Sequence, residues 1–261
     1  MKNIRSILFV FIMIFASETS GQNLVLNGGF ESGQIPTTSG EIDLATGWKT
    51  LYGSPDYFHP FAGILVQIPF NWWGHHWPVG TGRRYAGLFT YDNNGIPEGE
   101  QVYCKLVSPL TVGNWYRFEV SISLAERSRF IADSFGVGFT VSEPVSRLTV
   151  GRTLQPVTDT AQWIPRSITF RADSAYEYLV LGQMSWAPVT DTVSCGDLPI
   201  SYYYIDSVSV TESGPVGITE GRTEEEFREL EDLLRGNSSP VPALQPGRIY
   251  FNRNRKIIIR N

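Results

Sequence analysis

Trp-Tyr-Arg-Phe-Glu-Val-Ser-Ile-Ser-Leu, residues 115–124, is the most regular stretch of this chain. Apolar side chains stand at every second position from Tyr116 to Leu124, with polar side chains between them. Successive side chains of a β-strand point to opposite faces, so this alternation predicts a strand with one buried and one solvated face. Such a pattern is typical of an antiparallel sheet that packs on a core through one side.

Further strand candidates lie on both sides of this stretch and are separated by turn signals rich in Gly and Asn. The turns include Asn27-Gly28-Gly29, Asn93-Asn94-Gly95 and Val112-Gly113-Asn114. Short strands at this spacing, with no helical period before residue 220, predict an all-β sandwich of two antiparallel sheets. The candidates cover residues 24–26, 84–90, 101–107, 135–141, 164–170, 178–183 and 202–210.

The composition of the 261 residues agrees with a β-rich protein and limits the classes of partner. Aromatic residues make up 13% of the chain and charged residues 18%, while 25 Gly and 16 Pro supply many turns. The formal net charge of −5 argues against a nucleic-acid partner, because binding to phosphates requires an excess of positive charge.

Residues 1–21 have the pattern of a secretory signal peptide. Lys2 and Arg5 precede an unbroken apolar run over residues 7–15, and small or polar residues follow it. This run is shorter than the roughly 20 residues that span a bilayer, and no later segment reaches that length. We therefore predict a protein that is secreted or held at the outer cell surface, without a transmembrane segment after signal removal. The alternative is a buried strand at the start of the chain.

The composition changes after residue 212, where a Gly-rich stretch predicts a domain boundary. Residues 213–247 are predicted to form a linker that contains an amphipathic helix over 223–235. Thr223 and Glu226 form a capping box at the start of this helix. Residues 248–261 are basic and predict a β-hairpin-like tail. This tail is either a solvated hairpin or an incomplete sorting module that contacts the secretion machinery or an anionic polymer at the cell surface.

Both ends of the region 23–212 carry motifs of a known family. The region opens with Asn-Leu-Val-Leu-Asn-Gly-Gly-Phe-Glu-Ser-Gly at residues 23–33 and closes with Tyr-Tyr-Tyr-Ile-Asp-Ser-Val-Ser-Val at residues 202–210. These motifs resemble the first and last strands of galactose-binding-like jelly rolls, the fold of many carbohydrate-binding modules. Four motifs between them, at residues 54–59, 69–71, 85–88 and 123–128, are similar to those of a group of exported Bacteroidetes proteins.

The resemblance implies a jelly-roll sandwich over residues 22–212 and a glycan or cell-surface polysaccharide as partner. The tail resembles the short β modules of type IX secretion, from which it departs by lacking their Tyr-Pro-Asn-Pro opening.

The same resemblance implies a structural calcium ion at Glu31 and Asp206. Residues at these two places bind calcium in galactose-binding-like modules, and carboxylate oxygens suit that ion. Period-two parity puts Asp206 on the side of Val208 and Val210, so this carboxylate is expected to face the core and to need a partner. The alternative is that Asp206 accepts hydrogen bonds from a neighbouring turn and that Glu31 is solvated.

The segment 71–78, Asn-Trp-Trp-Gly-His-His-Trp-Pro, concentrates indole and imidazole rings in a short stretch. Flat aromatic faces stack on sugar rings, and this predicts a carbohydrate-binding loop. The alternative is that the loop folds over the sandwich and buries its own rings. The candidate ligand-binding residues are Trp72, Trp73, His75, His76 and Trp77.

Cys104 and Cys195 are the two cysteines of the chain. An isolated pair in an exported protein predicts one disulfide bond, and the alternative is two free buried thiols.

The sequence contains neither a His-Glu-x-x-His nor a Gly-x-Ser-x-Gly motif. Acidic residues such as Asp56, Glu98, Glu100 and Asp133 could serve a glycosidase, although charged loop residues are usually only solvated. We therefore expect a non-catalytic binding module whose ligand is a carbohydrate. The alternatives are a polysaccharide-active hydrolase on a jelly-roll scaffold and a structural or adhesion protein with no small ligand.

Overall fold

The structure is a computed structural model that describes residues 21–92, 99–185, 190–192, 196–214, 249–252 and 255–258. The chain divides into two units, Met1–Val216 and Gly217–Asn261. The predicted helix over 223–235 and residues 1–20 of the predicted signal lie outside the described residues.

The described part of the first unit consists of strands, their connections and one turn of 3-10 helix, Ile42–Leu44. In the second unit, two antiparallel strands form a hairpin. The strands in chain order are β1 (Trp48–Tyr52), β2 (Asp56–Phe58), β3 (Phe70–Asn71), β4 (Gly74–His75), β5 (Tyr85–Asp92), β6 (Gln101–Lys105), β7 (Trp115–Leu124), β8 (Phe130–Ala132), β9 (Phe135–Thr140), β10 (Arg152–Thr153), β11 (Ile164–Arg171), β12 (Tyr178–Gln183), β13 (Thr190–Thr192), β14 (Ile200–Ser213), β15 (Ile249–Asn252) and β16 (Arg255–Ile258).

Ten strands of the first unit form two five-stranded antiparallel sheets. The first sheet has the order β1-β6-β12-β9-β10, and the second has the order β11-β7-β14-β5-β2. The chain passes repeatedly from one sheet to the other, as in jelly-roll sandwiches. The prediction of an all-β sandwich of two antiparallel sheets is confirmed, and β7 has the predicted bounds.

The core lies between the two sheets. The alternating apolar residues of β7, among them Phe118, Val120 and Ile122, are buried there against apolar residues of the first sheet such as Leu179 and Leu181. Each such side chain contributes roughly 1.5–3 kcal/mol on burial. The polar residues between them lie on the outer face of the second sheet.

A bulge in β14 changes the orientation of Asp206. The register between β14 and β7 shifts after Asp206, and Ser207 has a φ of 54°. Ile205 and Val208 therefore both face the core, whereas Asp206 lies with Tyr204 on the outer face of the second sheet. The predicted parity of Asp206 with Val208 is wrong, because the extra residue of a bulge reverses the alternation.

Residues 59–79, here called the covering segment, fold over the outer face of the second sheet. Ala62, Val66 and Ile68 of this segment pack with Tyr85 and Tyr202 of the sheet in a second apolar cluster. The sandwich therefore has a third layer on this side, and the outer face of the first sheet remains more open.

The Cys104 thiol is buried in the core, and burial raises its pKa. Within the described part of the chain, Cys104 is free, and Cys195 lies outside that part, so the disulfide stays a prediction. Among the described residues, no helix has the length and apolar character needed to cross a membrane.

Candidate functional site

The aromatic segment 71–78 belongs to the covering segment and begins with the hairpin of β3 and β4. Asn71 ties this hairpin to the second sheet. Its Oδ1 accepts hydrogen bonds from Trp73 N and Tyr204 Oη, each at 2.9 Å, and its Nδ2 donates to Tyr85 Oη at 3.2 Å. The position of the aromatic segment is therefore fixed by the sheet beneath it.

Two of the five candidate ligand-binding residues point inward. The Trp73 ring stacks on Tyr202 at 4.6 Å between centroids, and its Nε1 donates to Asp56 Oδ2 at 2.8 Å. His76 is only 3% exposed, and its ring stacks on Tyr204 at 5.0 Å. His76 is buried and Trp73 is only partly exposed, and both side chains support the covering segment.

The other three candidates are exposed and, together with Phe70, are here called the aromatic patch; ring contacts connect Phe70, His75 and Trp77, and Trp72 lies against Arg127. Phe70 is 67% exposed, Trp72 51% and Trp77 63%, and His75 is also exposed. The ring centroids of Phe70 and His75 are 4.4 Å apart, and those of His75 and Trp77 are 6.4 Å apart. The same short segment thus carries anchoring rings on one side and exposed rings on the other.

Arg127 supports Trp72 from the neighbouring loop. Its guanidinium lies 5.2 Å from the centroid of the Trp72 ring, and its Nη1 donates to Trp72 O at 3.0 Å. Asp197 accepts two hydrogen bonds from this guanidinium, at 2.9 and 2.8 Å. These bonds lower the pKa of Asp197 and raise that of Arg127, so both groups stay charged and paired.

Glu126 contacts both histidines of the aromatic segment and holds the hairpin in place. Its Oε2 accepts a hydrogen bond from His75 N at 3.1 Å, and its Oε1 lies 3.3 Å from His76 Nδ1. Gly74 has a φ of 152°, and an added Cβ there would lie 1.9 Å from Glu126 Oε2. The turn between the inward and outward rings therefore requires glycine.

Asp56, one of the carboxylates considered for catalysis, is a buried structural acceptor. It accepts hydrogen bonds from Gly40 N at 2.7 Å, from Trp73 Nε1 at 2.8 Å and from Tyr202 Oη at 2.5 Å. Burial raises its pKa, and these three donors act in the opposite direction. Asp56 connects the loop at Gly40, the covering segment and β14.

Glu100 is a second buried carboxyl group near Asp56. Its oxygens accept hydrogen bonds from Ser54 N at 2.7 Å and from Phe89 N at 2.9 Å. Burial, and then the charge of Asp56, raise the pKa of Glu100 to about 8. Both groups are enclosed and engaged by main-chain donors, while Glu98 lies outside the described residues.

Glu31 and Asp206 come together at the segment that follows the aromatic rings. Asp206 Oδ2 accepts a hydrogen bond from Val79 N at 3.0 Å, and Glu31 Oε1 accepts one from Arg83 N at 2.6 Å. An added Cβ on Gly29 would lie 3.8 Å from both Asp206 Oδ1 and Glu31 Cγ. The first motif and the last strand thus meet at these two carboxylates.

Carboxylate oxygens such as those of this pair suit calcium, and here both carboxylates also accept hydrogen bonds from main-chain N–H groups, including Ser207 N for Asp206. Burial raises the pKa of Asp206 to about 7, with a further contribution from the charge of Glu31, so a cation would relieve unfavourable charge there. The described residues contain no group of three or more His, Cys, Asp or Glu suited to a metal. A calcium ion would therefore take the rest of its roughly six to eight oxygen ligands from main-chain carbonyls and water.

The outer face of the first sheet carries an open cleft that the sequence analysis missed. Tyr103 and Tyr178 lie side by side in its lining, with ring centroids 6.3 Å apart; Tyr103 is only 8% exposed, and Tyr178 is partly exposed. Lys49, Lys105 and Glu143 stand around them, and the cleft has a volume of about 1070 Å³. Lys49 Nζ lies 6.0 Å from the centroid of the Tyr103 ring, and Lys105 Nζ lies 5.6 Å from that of Tyr178. Aromatic rings and charged groups are thus combined in one open depression.

Glu143 organises the charges of the cleft. Its Oε1 accepts hydrogen bonds from Tyr103 Oη at 2.7 Å and from Lys49 Nζ at 3.3 Å. The bond from Tyr103, and then the one from Lys49, lower the pKa of Glu143, and the same bond to Glu143 raises the pKa of Lys49. Both groups therefore stay charged near neutral pH.

The connection between β9 and β10 forms one wall of the cleft. Gln101 holds this connection in place: its Nε2 donates to Leu148 O at 2.6 Å, and its Oε1 accepts from Leu148 N at 2.8 Å. An added Cβ on Gly138 would lie 2.2 Å from Leu148 Cδ2, so a larger residue there would displace the Leu148 side chain. The same connection contains Glu143, whose carboxylate accepts the hydrogen bond from Tyr103 Oη.

A sequence signal for the cleft exists in the alternation of β6 and β12. Val102 and Cys104 face the core, whereas Tyr103 lies on the opposite face of β6; in β12, Leu179 faces the core and Tyr178 the opposite face. Tyrosines on the non-core parity of two adjacent strands are the feature that could have pointed to this surface.

No protein-family model matches the chain, and no curated protein matches its sequence. Solved structures with some similarity include a xylan-binding domain from Paenibacillus barcinonensis, at 12% identity over 77% of this chain and 100% of that chain, with a TM-score of 0.40. An endo-1,4-β-D-xylanase from Clostridium thermocellum is 13% identical, with 73% of this chain and 29% of that chain covered and a TM-score of 0.41.

An arabinose-bound α-L-arabinofuranosidase is 12% identical over 74% of this chain, with a TM-score of 0.45. The chain spans 27% of the arabinofuranosidase and 29% of the xylanase. At these identities and TM-scores, the function has to be argued from the residues of the site itself.

Proposed function

We propose that the first unit is a non-catalytic carbohydrate-binding domain and that the cleft on the first sheet binds a glycan. The observation that carries this proposal is the open cleft in which the partly exposed ring of Tyr178 lies beside Tyr103 and several charged groups. Sugar rings present C–H faces that pack on aromatic rings, and their hydroxyls exchange hydrogen bonds with carboxylates and ammonium groups.

The size of the cleft supports a ligand of several sugar units. Its volume of about 1070 Å³ lies just above the roughly 300–1,000 Å³ that is usual for ligand pockets. The opposite charges of Lys49 and Glu143 are held in one hydrogen-bonded group, so the cleft attracts neither anions nor cations strongly. A neutral polyhydroxylated ligand is the class that this lining favours.

The charge state of Glu143 supports a binding role and argues against hydrolysis. A glycosidase needs a general acid with a raised pKa, and the pKa of Glu143 is lowered by Tyr103 and Lys49. Asp56, Glu100 and Asp206, whose pKa values are raised, are buried and do not line the cleft.

A glycan array with the purified protein, followed by calorimetry on the best ligand, tests this proposal. Tyr178→Ala and Glu143→Gln are each expected to weaken binding roughly tenfold, because each removes a direct contact. Glu119→Gln is the matched control, since Glu119 also pairs with a cation, Arg117 at 2.9 Å, but lies on the second sheet. Loss of binding in the control, or full binding in both cleft variants, would show that the glycan binds elsewhere.

We also propose a structural calcium ion at Glu31 and Asp206. It is supported by the meeting of two hard oxygen donors and by the burial of Asp206. Binding to the folded state alone would stabilise the domain by about 2.7 kcal/mol at a calcium concentration one hundred times Kd. The melting temperature should rise with added CaCl2 and fall with chelator.

Asp206→Ala is expected to abolish this dependence, and Asp173→Ala, at an exposed loop carboxylate, should retain it. An unchanged melting temperature of the wild type, after elemental analysis shows that chelator has removed all calcium, would exclude the ion.

Finally, we propose that the protein is exported, with the basic tail at 248–261 in contact with the secretion machinery. The signal-like pattern of residues 1–21 supports export. N-terminal sequencing of extracellular protein should begin near residue 22, and material that begins at Met1 would contradict export. Deletion of 248–261 should leave the protein inside the cell if the tail has this role.

A further inference from the structure

The aromatic patch, Phe70, Trp72, His75 and Trp77, exposes large side chains that are usually buried. Its three large apolar rings are each more than half exposed, although they belong to a segment of eight residues. Scattered exposed apolar residues are ordinary on protein surfaces, whereas a cluster of them marks a contact site.

The patch is also held in a fixed position. Directly beneath it, Trp73 is bonded to Asp56, His76 is stacked on Tyr204, and Asn71 is bonded to the same tyrosine. A ring that is already ordered loses little conformational entropy when a ligand binds to it. The anchors therefore prepare the outward rings for contact.

We propose that the aromatic patch is a second glycan-contact surface and that it binds a neutral polysaccharide chain. Its rings are interspersed with hydrogen-bonding groups, namely the exposed His75 and the Arg127–Asp197 pair beside Trp72. Sugars combine an apolar face with hydroxyls at the edge, and this arrangement of rings and polar groups complements both.

The charges near the patch argue for a neutral ligand. Arg127, the cation that contacts Trp72, is neutralised by two hydrogen bonds to Asp197. An anionic membrane surface is recognised by clusters of unpaired Lys and Arg, and the chain as a whole carries a net charge of −5. A second cation, Arg129, donates to Asp197 O at 3.3 Å, and the carboxylate of Glu126 contacts His75 and His76 on the same segment. The cations and carboxylates next to the patch therefore balance, and no excess of positive charge is present to attract a membrane or an anionic polymer.

The patch and the cleft face opposite directions. The cleft lies on the outer face of the first sheet, and the patch lies on the covering segment outside the second sheet, with the core between them. A short oligosaccharide cannot reach both surfaces, but two separate polymer chains can. The domain would then bridge polysaccharide chains, and this bridging role rests on the proposed glycan site in the cleft.

Affinity gels and turbidity with soluble xylan, mixed-linkage β-glucan and galactomannan test the proposal. The cleft variant is Tyr178→Ala with Glu143→Gln, and the patch variant is Trp72→Ala with Trp77→Ala. The matched control is Phe61→Ala with Ile64→Ala, because these side chains are 71% and 81% exposed on the same covering segment.

The cleft variant is expected to keep residual retardation in the gel. Adding the patch substitutions to the cleft variant should lower the remaining association constant by roughly tenfold or more. Adding the control substitutions should leave it unchanged. The wild type should cross-link the polysaccharide and make the solution turbid when protein and polysaccharide binding sites are present in similar amounts. Solutions with the cleft variant or the patch variant should stay clear. Circular dichroism should show that all variants remain folded.

Three outcomes would overturn the second contact. In the first, the patch substitutions leave polysaccharide binding unchanged in both the wild type and the cleft variant. In the second, the control substitutions reduce binding as much as the patch substitutions do. In the third, sedimentation shows a wild-type dimer that the patch substitutions dissociate, and the patch is then an interface between copies of the chain. If the patch variant alone loses all binding, the second contact stands and the proposed cleft site fails. If no polymer binds the wild type, both proposals fail.

Discussion

Replacing Trp73 by alanine tests whether the inward half of the aromatic segment is structural. Its ring stacks on Tyr202 at 4.6 Å and meets Phe89 edge-on at 4.8 Å, and its Nε1 donates to the buried Asp56. Truncating a packed Trp costs about 3–5 kcal/mol, which includes the cavity that it leaves. Because Trp73 is partly exposed, we expect the loss in free energy of unfolding to lie at the lower end of this range, about 3 kcal/mol.

Two further variants divide this loss into its parts. Trp73→Phe keeps an aromatic ring against Tyr202 but removes the Nε1–H donor, so Asp56 Oδ2 retains only the hydroxyl of Tyr202. A buried acceptor that loses a donor costs about 1–3 kcal/mol. Trp77→Ala is the control with the same change of side chain, and since its ring is 63% exposed we expect a change within about 0.5 kcal/mol.

Urea unfolding followed by far-ultraviolet circular dichroism is the appropriate assay, because fluorescence would change with the number of tryptophans. The midpoint should fall in the order Trp77→Ala, Trp73→Phe, Trp73→Ala, with an unchanged dependence on urea concentration. If Trp73→Ala costs no more than Trp77→Ala, the anchoring role of Trp73 is refuted.

Other substitutions probe the interior of the sandwich. Because the pKa of Glu100 is raised from its ordinary 4.5 to about 8, the folded state keeps a proton that the unfolded chain has lost, and stability should fall as pH rises between these values, by at most about 5 kcal/mol. Glu100→Gln should flatten this fall in urea midpoints measured across that range, and an equal slope in both proteins would contradict the assignment. Gly28→Ala should lower the melting temperature clearly, because the added Cβ would lie 1.9 Å from Val208 O; normal melting would show that the opening motif tolerates a side chain there. Mass spectrometry of non-reduced peptides should link Cys104 to Cys195, and two freely alkylated thiols in the exported protein would exclude the disulfide.

The regular parts of the fold could be predicted because they follow from local alternation. In β7, the alternation itself shows which side chains face the core, since one face of the strand is apolar throughout. The orientation of Asp206 could not be read in the same way. The bulge depends on Ser207 at a φ of 54°, a conformation that sequence does not reveal for a residue other than glycine.

Only part of the geometry of the candidate site could be predicted, because the rest depends on long-range contacts. The aromatic segment was found because its composition is unusual, but the division between Trp73 and Trp77 is set by Tyr202 and Asp56, which are distant in sequence. The cleft was missed because β6 and the connection that carries Glu143 meet only through tertiary structure.

The alternation of inward and outward rings separates two kinds of selective constraint within one short segment. Changes at Trp73, Gly74 or His76 alter groups that are bonded or packed against the sheet. Changes at Trp72 or Trp77 alter mainly what the surface presents to its surroundings. The exposed positions can therefore vary during evolution while the scaffold stays intact, much as hypervariable loops diversify on a constant framework.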